Sequence, residues 1–178
     1  MRPQDGQYFS EFLAEFQRET DRGAALVGAA LIDSRLERLL SSHLIESKAA
    51  TELLGAGDAP LGSLSSRIKI SFALGLITEL EYQEADLIRK VRNEFAHEVH
   101  GLTFSSQRIS GLCSSLNANT PDGERFDGNP RQLFINSVVL LSLSLWYRPE
   151  HAAPYKAVAR SWEWQLSPDR RNERPRSS

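Results

Sequence analysis

This 178-residue chain has a single cysteine, no long uninterrupted apolar run and no large excess of either charge. The single cysteine, Cys113, excludes an intramolecular disulfide and makes a cysteine-based zinc site unfavourable. The longest apolar-rich stretch, residues 133–146, is interrupted by asparagine and serine and is too short and too polar to span a bilayer. The first residues lack the apolar segment of a secretory signal. We therefore expect a cytoplasmic protein with no membrane association.

The charge balance also argues against one common class of partner. There are 21 lysines and arginines against 23 aspartates and glutamates, for a net charge of -2, whereas duplex DNA-binding domains usually carry a basic stripe. No glycine-rich phosphate loop follows a strand pattern, and two histidines with one nearby glutamate are too few for a metal site. The sequence therefore predicts neither a cofactor nor a metal.

Apolar residues recur at helical spacing along most of the chain, and no segment shows the alternation of a β-strand. Thr78 and Glu81 form a capping box, and Asn129 followed by Pro130 forms a second helix start. We predict an all-α fold: a single-domain bundle of six to eight helices over residues 1–148, a helical extension over 149–166 and a disordered tail over 167–178. Residues 131–147 are apolar nearly all round, so that helix should be central to the bundle or lie in a subunit interface.

The helix predicted after Thr20 is rich in alanine and glycine, which indicates close approach to a neighbouring helix. Its predicted apolar face contains Leu26 and Ala30, among others, and its wetter side contains Asp33 and Arg35. A later helical pattern, over residues 64–76, contains Arg67 and Lys69. These two residues are interpreted either as extra cations for a binding groove or as a solvated helix edge.

The most suggestive group of polar residues lies late in the predicted helix that begins after Thr78. Asn93 and His97 are four residues apart and share one face, and Arg92 lies on the flank of that face. The opposite side is apolar. A phosphate-binding cation, an amide and a base that titrates near neutrality are thus presented together.

Three stretches resemble the mannitol operon repressor family: GAALVGAALIDSRLERLL, DAPLGSLSSRIKISFALGLITELEYQEADLIRKVRNEFAH and LTFSSQRISGLCSSL. The middle stretch is the most specific of the three. The resemblance covers approximately residues 9–116 and implies an all-helical cytoplasmic protein linked to transcriptional control of carbohydrate use.

The hexapeptide R-N-E-F-A-H, from Arg92 to His97, also resembles the R-x4-H signature of HEPN domains, many of which are metal-independent ribonucleases. That resemblance implies that His97 exchanges a proton with a ribose 2′-hydroxyl or the leaving oxygen, that Arg92 stabilises the phosphate, and that Asn93 orients one of them. A base near neutrality and a fixed cation suit this chemistry. The alternative is structural: Arg92 pairs with Glu81, Glu84 or another acid, and His97 caps a carbonyl at the helix end.

A helix-turn-helix would have to use residues 64–76 and 79–99, and its second helix begins with four acidic residues within eight positions. Acidic side chains are unfavourable where phosphates would lie. We therefore expect a regulator that acts through a protein partner, with a ribonuclease that binds RNA as the alternative function. We also predict a homodimer, since one bundle of this size leaves part of so apolar a helix as 131–147 uncovered.

Overall fold

A computed structural model describes residues 2–55, 58–97, 101–117 and 129–161, and within these ranges the chain is helical with no strand. The all-α bundle predicted from the sequence is confirmed. The helices are α1 (Pro3–Arg18), α2 (Asp21–His43), α3 (Lys48–Leu54), α4 (Leu64–Ala73), α5 (Glu79–His97), α6 (Gln107–Ser114), α7 (Pro130–Trp146) and α8 (Arg148–Ala152), with a 3-10 turn at Ala153–Tyr155.

The predicted C-terminal helical extension is shorter than the sequence pattern indicated. Helix α8 and the 3-10 turn end at Tyr155, and residues 156–161 have no regular structure. This segment is held to the end of α2 and the residues after it by two contacts: the backbone amide of Ala157 donates to the carbonyl of His43 at 2.7 Å, and Lys156 pairs with Glu46 at 2.6 Å. The remainder of the extension and the predicted tail, residues 162–178, lie outside the described residues.

Helix α2 is the centre of the bundle and packs against α7, α5, α4 and α8. Its close approach to α7 depends on Gly28. A Cβ atom at this position would lie 3.0 Å from Val138 and 3.2 Å from both Phe134 and Phe16, which is tighter than ordinary packing. The prediction that small residues allow a neighbouring helix to approach is confirmed at this position.

Local side-chain caps begin the helices where the sequence indicated. Thr20 accepts from the amide of Gly23 at 3.0 Å at the start of α2, and Asn129 accepts from the amide of Gln132 at 3.1 Å at the start of α7. The capping box of α5 is complete, with bonds of 2.8 and 3.2 Å between Thr78 and Glu81. These bonds satisfy first-turn amides that the helix itself leaves unpaired.

The buried face of α2 differs from the predicted one. Ala25 and Ile32 are buried, whereas Leu26 and Ala30 are exposed. Arg35, expected on the wetter side, is only 7% exposed, and its guanidinium lies 3.8 Å from the centre of the Trp146 ring. That prediction was wrong because α2 is covered by neighbours on several sides, and a long side chain can bury its stem and find an aromatic partner there.

Arg67 is neither a solvated edge nor a groove cation, so both interpretations of it were wrong. It is 4% exposed, and its guanidinium contacts Asp33 at 2.6 Å, Glu37 at 3.0 Å and the carbonyl of Leu54 at 3.0 Å. It therefore joins α4 to α2 and to the end of α3. Lys69, by contrast, is exposed.

Helix α7 buries most of its apolar surface within the chain, against α2, α5, α6 and α8, and leaves Leu140 exposed. An aromatic row links α5, the turn before α6 and α7, with ring centres 5.1 Å apart for Phe95 and Phe104 and 5.2 Å apart for Phe104 and Phe134. Cys113 is fully buried, and desolvation raises its pKa to about 12, so it is a small core residue and a poor nucleophile. In the described ranges, no helix is long and apolar enough to cross a membrane.

Candidate functional site

A groove of about 560 Å³ lies between α2, the start of α4 and the second half of α5. It contains two of the three residues that the sequence singled out. Its described lining consists of Leu26, Ala29, Ala30, Asp33, Gly62, Ser63, Leu64, Ser65, Arg89, Arg92 and Asn93. We refer to this set as the α5 groove.

Arg92 and Asn93 are adjacent in this groove and are bonded to each other. The Nη1 atom of Arg92 donates to the Oδ1 atom of Asn93 at 3.1 Å. Arg92 is exposed and Asn93 is half-buried. The acids considered as partners for Arg92 are engaged elsewhere: Glu81 pairs with Arg148, and Glu84 accepts from the backbone amide of Asn117. The Arg92 guanidinium thus faces solvent from the wall of the groove.

Arg89 is one turn before Asn93 and is held more firmly. Its Nη2 and Nε atoms donate to the same oxygen of Asp86 at 2.6 and 2.9 Å, and Lys90 contacts the other oxygen at 3.0 Å. Burial raises the pKa of Asp86, but hydrogen bonds from Arg89 and Lys90 outweigh it and leave that pKa below its ordinary value. Asp86 is therefore a carboxylate shared by two cations, and this end of the groove keeps a positive balance.

His97 is not brought into the α5 groove. It is the last residue of α5, it is exposed, and it is not among the described lining residues. Glu94, three residues before His97 on the same helix, pairs with Arg108 at 2.9 Å. The structure therefore places Arg92 and Asn93 together and leaves His97 one helical turn beyond them, at the end of the helix.

The opposite wall and floor come from residues that sequence reasoning had not assigned to a site. Ser63 and Ser65 belong to the segment that leads into α4, and Leu26 and Ala30 form an exposed apolar strip on α2. Ser63 caps α4 by accepting from the amide of Ser66 at 3.1 Å. The available signal was the PLGSLS segment, which was the most specific part of the family resemblance, but its proximity to α5 depends on tertiary packing.

The chemistry of this site is that of donors beside an apolar strip. Arginine guanidinium, asparagine amide and serine hydroxyl groups all donate hydrogen bonds, and guanidinium groups bind planar anions such as carboxylates with particular strength. Asp33 lies at the edge of the groove but is already held by Arg67 at 2.6 Å. The groove is thus suited to the acidic and apolar side chains of another protein, or to an anionic small molecule.

In the described part of the chain, the fold is thus an all-helical bundle with a groove lined by hydrogen-bond donors. Residues 25–140, about two thirds of the chain, match the mannitol repressor family. The protein belongs to that family.

Individual relatives agree with this assignment. The chain is 32% identical to the mannitol operon repressors of Escherichia coli strain K12 and of Escherichia coli O6:H1 strain CFT073, over 54% of this chain and 56% of each relative. It thus spans little more than half the length of these relatives. Among solved structures, it is similar to the MtlR-HPr complex from Escherichia coli, with a TM-score of 0.56 and 23% identity over 79% of this chain and 96% of that chain. At this identity the likeness shows the fold.

Proposed function

We propose that this protein is a transcriptional regulator of the mannitol operon repressor type that acts through contact with a protein partner. The observation that carries the proposal is its membership of the mannitol repressor family. The similar Escherichia coli structure is a complex of MtlR with HPr, and HPr is therefore the partner that we propose to test first. The regulator is expected to act in the cytoplasm.

The geometry of α4 and α5 supports contact with a protein over entry into a DNA groove. The two helices are joined by a short turn in which Gly75 has a φ angle of +69°. The start of α5 exposes Glu79, while Glu81 is paired with Arg148 and Glu84 is buried. Carboxylates at the start of a recognition helix would repel phosphates, whereas they are favourable at the positive end of the helix dipole.

The α5 groove is the surface that we propose for the partner. Leu26 and Ala30 offer exposed apolar area, and Arg92 offers a guanidinium whose described hydrogen bond is to a neutral amide. Exposed apolar residues next to an arginine are typical of the residues that dominate binding energy at interfaces. The partner is expected to present an acidic group beside an apolar one.

The proposal is tested by titrating purified HPr into the protein in a calorimeter. Wild type is expected to bind with a Kd of about 10⁻⁶ M or tighter. Arg92→Glu is expected to weaken binding at least tenfold, since it reverses a charge in the proposed surface. Lys48→Glu is the matched control, because Lys48 is an exposed cation on α3 outside the groove. Absence of HPr binding by wild type would remove HPr as the partner, and equal effects of both variants would remove the groove as the surface.

A gel shift at physiological salt separates this function from direct operator binding. The isolated protein is expected to bind the operator of a mannitol operon no more tightly than random duplex. A sequence-specific complex with a Kd of about 10⁻⁸ M or tighter would show that DNA recognition resides in this chain.

We also propose a homodimer. The apolar side chains of the helix over residues 131–147 are largely buried inside one chain, but Leu140 on α7 and Leu80 on α5 remain exposed on neighbouring helices. Light scattering at a concentration of tens of micromolar, chosen by ordinary affinity arithmetic, is expected to give the mass of a dimer. A monomer mass would contradict it.

A further inference from the structure

A second cavity, of about 300 Å³, opens between the first half of α5, the middle of α7 and the residues after α6. Its described lining is Thr78, Leu80, Glu81, Glu84, Asn117, Ser137, Leu140, Leu141 and Ser144. We call it the Glu84 pocket. It shares no lining residue with the α5 groove.

Glu84 and Ser137 are deeply buried at this pocket and are incompletely bonded. Glu84 is 8% exposed; its Oε1 atom accepts from the backbone amide of Asn117, while its buried Oε2 atom has no hydrogen-bond partner among the described residues. Ser137 is 2% exposed, and its hydroxyl likewise lacks a partner in the described part of the chain. Buried polar atoms are nearly always bonded, because an unbonded one loses its interaction with water without replacement.

The other carboxylate of the pocket is already occupied. Glu81 receives two bonds from Arg148, at 2.6 and 3.1 Å, one from the hydroxyl of Ser144 and one from the amide of Thr78 at 2.8 Å. Its charge is balanced by the arginine and its oxygens have donors. Glu84, a lining residue of the same pocket, has no described cation beside it, and its Oε2 atom has no described donor.

Three leucines supply an apolar part of the wall. Leu80 is 54% exposed and Leu140 is 38% exposed, and Leu141 lies beside them. We propose that the Glu84 pocket binds an ammonium or guanidinium group carried on an apolar stem, with the cation at Glu84 and Ser137 and the stem along the leucines. A charged donor forms a stronger hydrogen bond to a carboxylate than a neutral hydroxyl does, and a single open carboxylate provides too few ligands for a metal ion.

Two sources supply this chemistry: a free alkylamine, or a lysine or arginine side chain of a protein. The proposal does not depend on the proposed regulatory contact, but it requires Leu80 and Leu140 to stay uncovered, so a homodimer that buries these two leucines would exclude it. The first arm of the test titrates n-pentylamine into the full-length protein, observed by two-dimensional NMR of the backbone amides. Amides around Thr78, Asn117 and Ser137 are expected to shift. n-Pentanol tests whether the charge is needed, and methylamine tests whether the stem is needed.

Glu84→Gln is the informative variant, because the amide oxygen can still accept from Asn117 while the charge is lost. It is expected to weaken n-pentylamine binding at least tenfold, as for a charge-assisted hydrogen bond. Leu80→Ala, at an exposed position, is expected to weaken n-pentylamine but not methylamine. Should Glu84→Gln fail to fold, the Leu80→Ala comparison and the amine series on wild type still decide. The proposal is overturned if n-pentylamine shifts no amide at this pocket, or if n-pentanol or Glu84→Gln gives the same response as n-pentylamine on wild type.

The second arm distinguishes the two sources by measuring HPr binding with saturating n-pentylamine and with Glu84→Gln. Loss of HPr binding in both experiments assigns the cation to a side chain of that partner. Retention of HPr binding, with n-pentylamine still bound, assigns the pocket to a free amine. If wild type binds n-pentylamine but not HPr, the pocket stands while HPr as the partner fails.

Discussion

Arg67 and Arg92 both lie near α2, but the first is buried and paired whereas the second is exposed. Arg67 is buried and contacts Asp33, Glu37 and the carbonyl of Leu54. Arg92 is exposed on the α5 groove, and its described hydrogen bond is to Asn93. A buried guanidinium whose two terminal nitrogens are held by the fold stabilises it, whereas one that faces solvent keeps donors available for another molecule.

The largest expected effect comes from breaking the buried region. Arg67→Ala should lower the free energy of unfolding by about 3 kcal/mol, because the Asp33 carboxylate and the Leu54 carbonyl lose their partner. This loss of unfolding free energy is at the low end of the range for breaking a buried ion pair, because Asp33 and Glu37 are themselves partly exposed. Urea denaturation followed by circular dichroism measures it.

Arg92→Ala is the matched control for this comparison. It should change the free energy of unfolding by no more than about 0.5 kcal/mol, as is usual for a surface substitution. A similar loss of stability for both arginines would show that the contrast between the two regions is mistaken.

An intermediate effect is expected at Glu81, which is held by Arg148, Ser144 and Thr78. Burial raises the pKa of Glu81, but the hydrogen bonds from these groups, and the charge of Arg148, outweigh it and leave the pKa below its ordinary value of 4.5. The folded state therefore favours the ionised form. This stabilisation is complete above the unfolded pKa and is lost as pH falls through the lower folded pKa.

Glu81→Gln should accordingly lower the free energy of unfolding by about 2 kcal/mol at pH 7, since charge-assisted bonds are replaced by neutral ones. The variant should also lose less stability than wild type as the pH is lowered below 4.5. Denaturation curves at pH 7 and at several acidic values provide the comparison. Parallel pH profiles for the two proteins would exclude this role of Glu81.

The smallest expected effect concerns the ribonuclease alternative. We expect neither wild type nor His97→Ala to cleave single-stranded RNA without metal, and both to melt alike, because His97 is exposed and lies outside the described groove lining. Gel analysis of labelled RNA is the measurement. Cleavage by wild type that falls on the order of 10²-fold in His97→Ala would instead establish His97 as a general acid or base.

The parts of the structure that could be predicted are those in which neighbours in sequence are also the partners in space. The capping box of Thr78 and Glu81 and the Asn129 cap connect residues three apart, so these helix starts can be predicted from the sequence without knowledge of the fold. Helical periodicity similarly identified the all-α class. The proximity of Arg92 and Asn93 could be predicted for the same reason.

The roles of particular charged residues were decided by tertiary structure. Nothing adjacent to Arg67 in sequence indicates that Asp33, 34 residues away, will receive its guanidinium. Arg35 was assigned to the wetter side because periodicity gives one apolar face to a helix, whereas α2 is covered by several neighbours. Likewise, Glu84 is buried because α7 and Asn117, both distant in sequence, lie beside it in the fold.

The sequence by itself determined an all-helical chain, the starts of its main helices and membership of a family, since these depend on local hydrogen bonds, on periodicity and on residue order. Only the tertiary structure decided which cations stabilise the fold and which remain available, and it placed Ser63, Leu26 and Arg92 around one groove. The physical reason is that desolvation sets the consequence of a charge, and desolvation depends on which helix faces meet across the bundle.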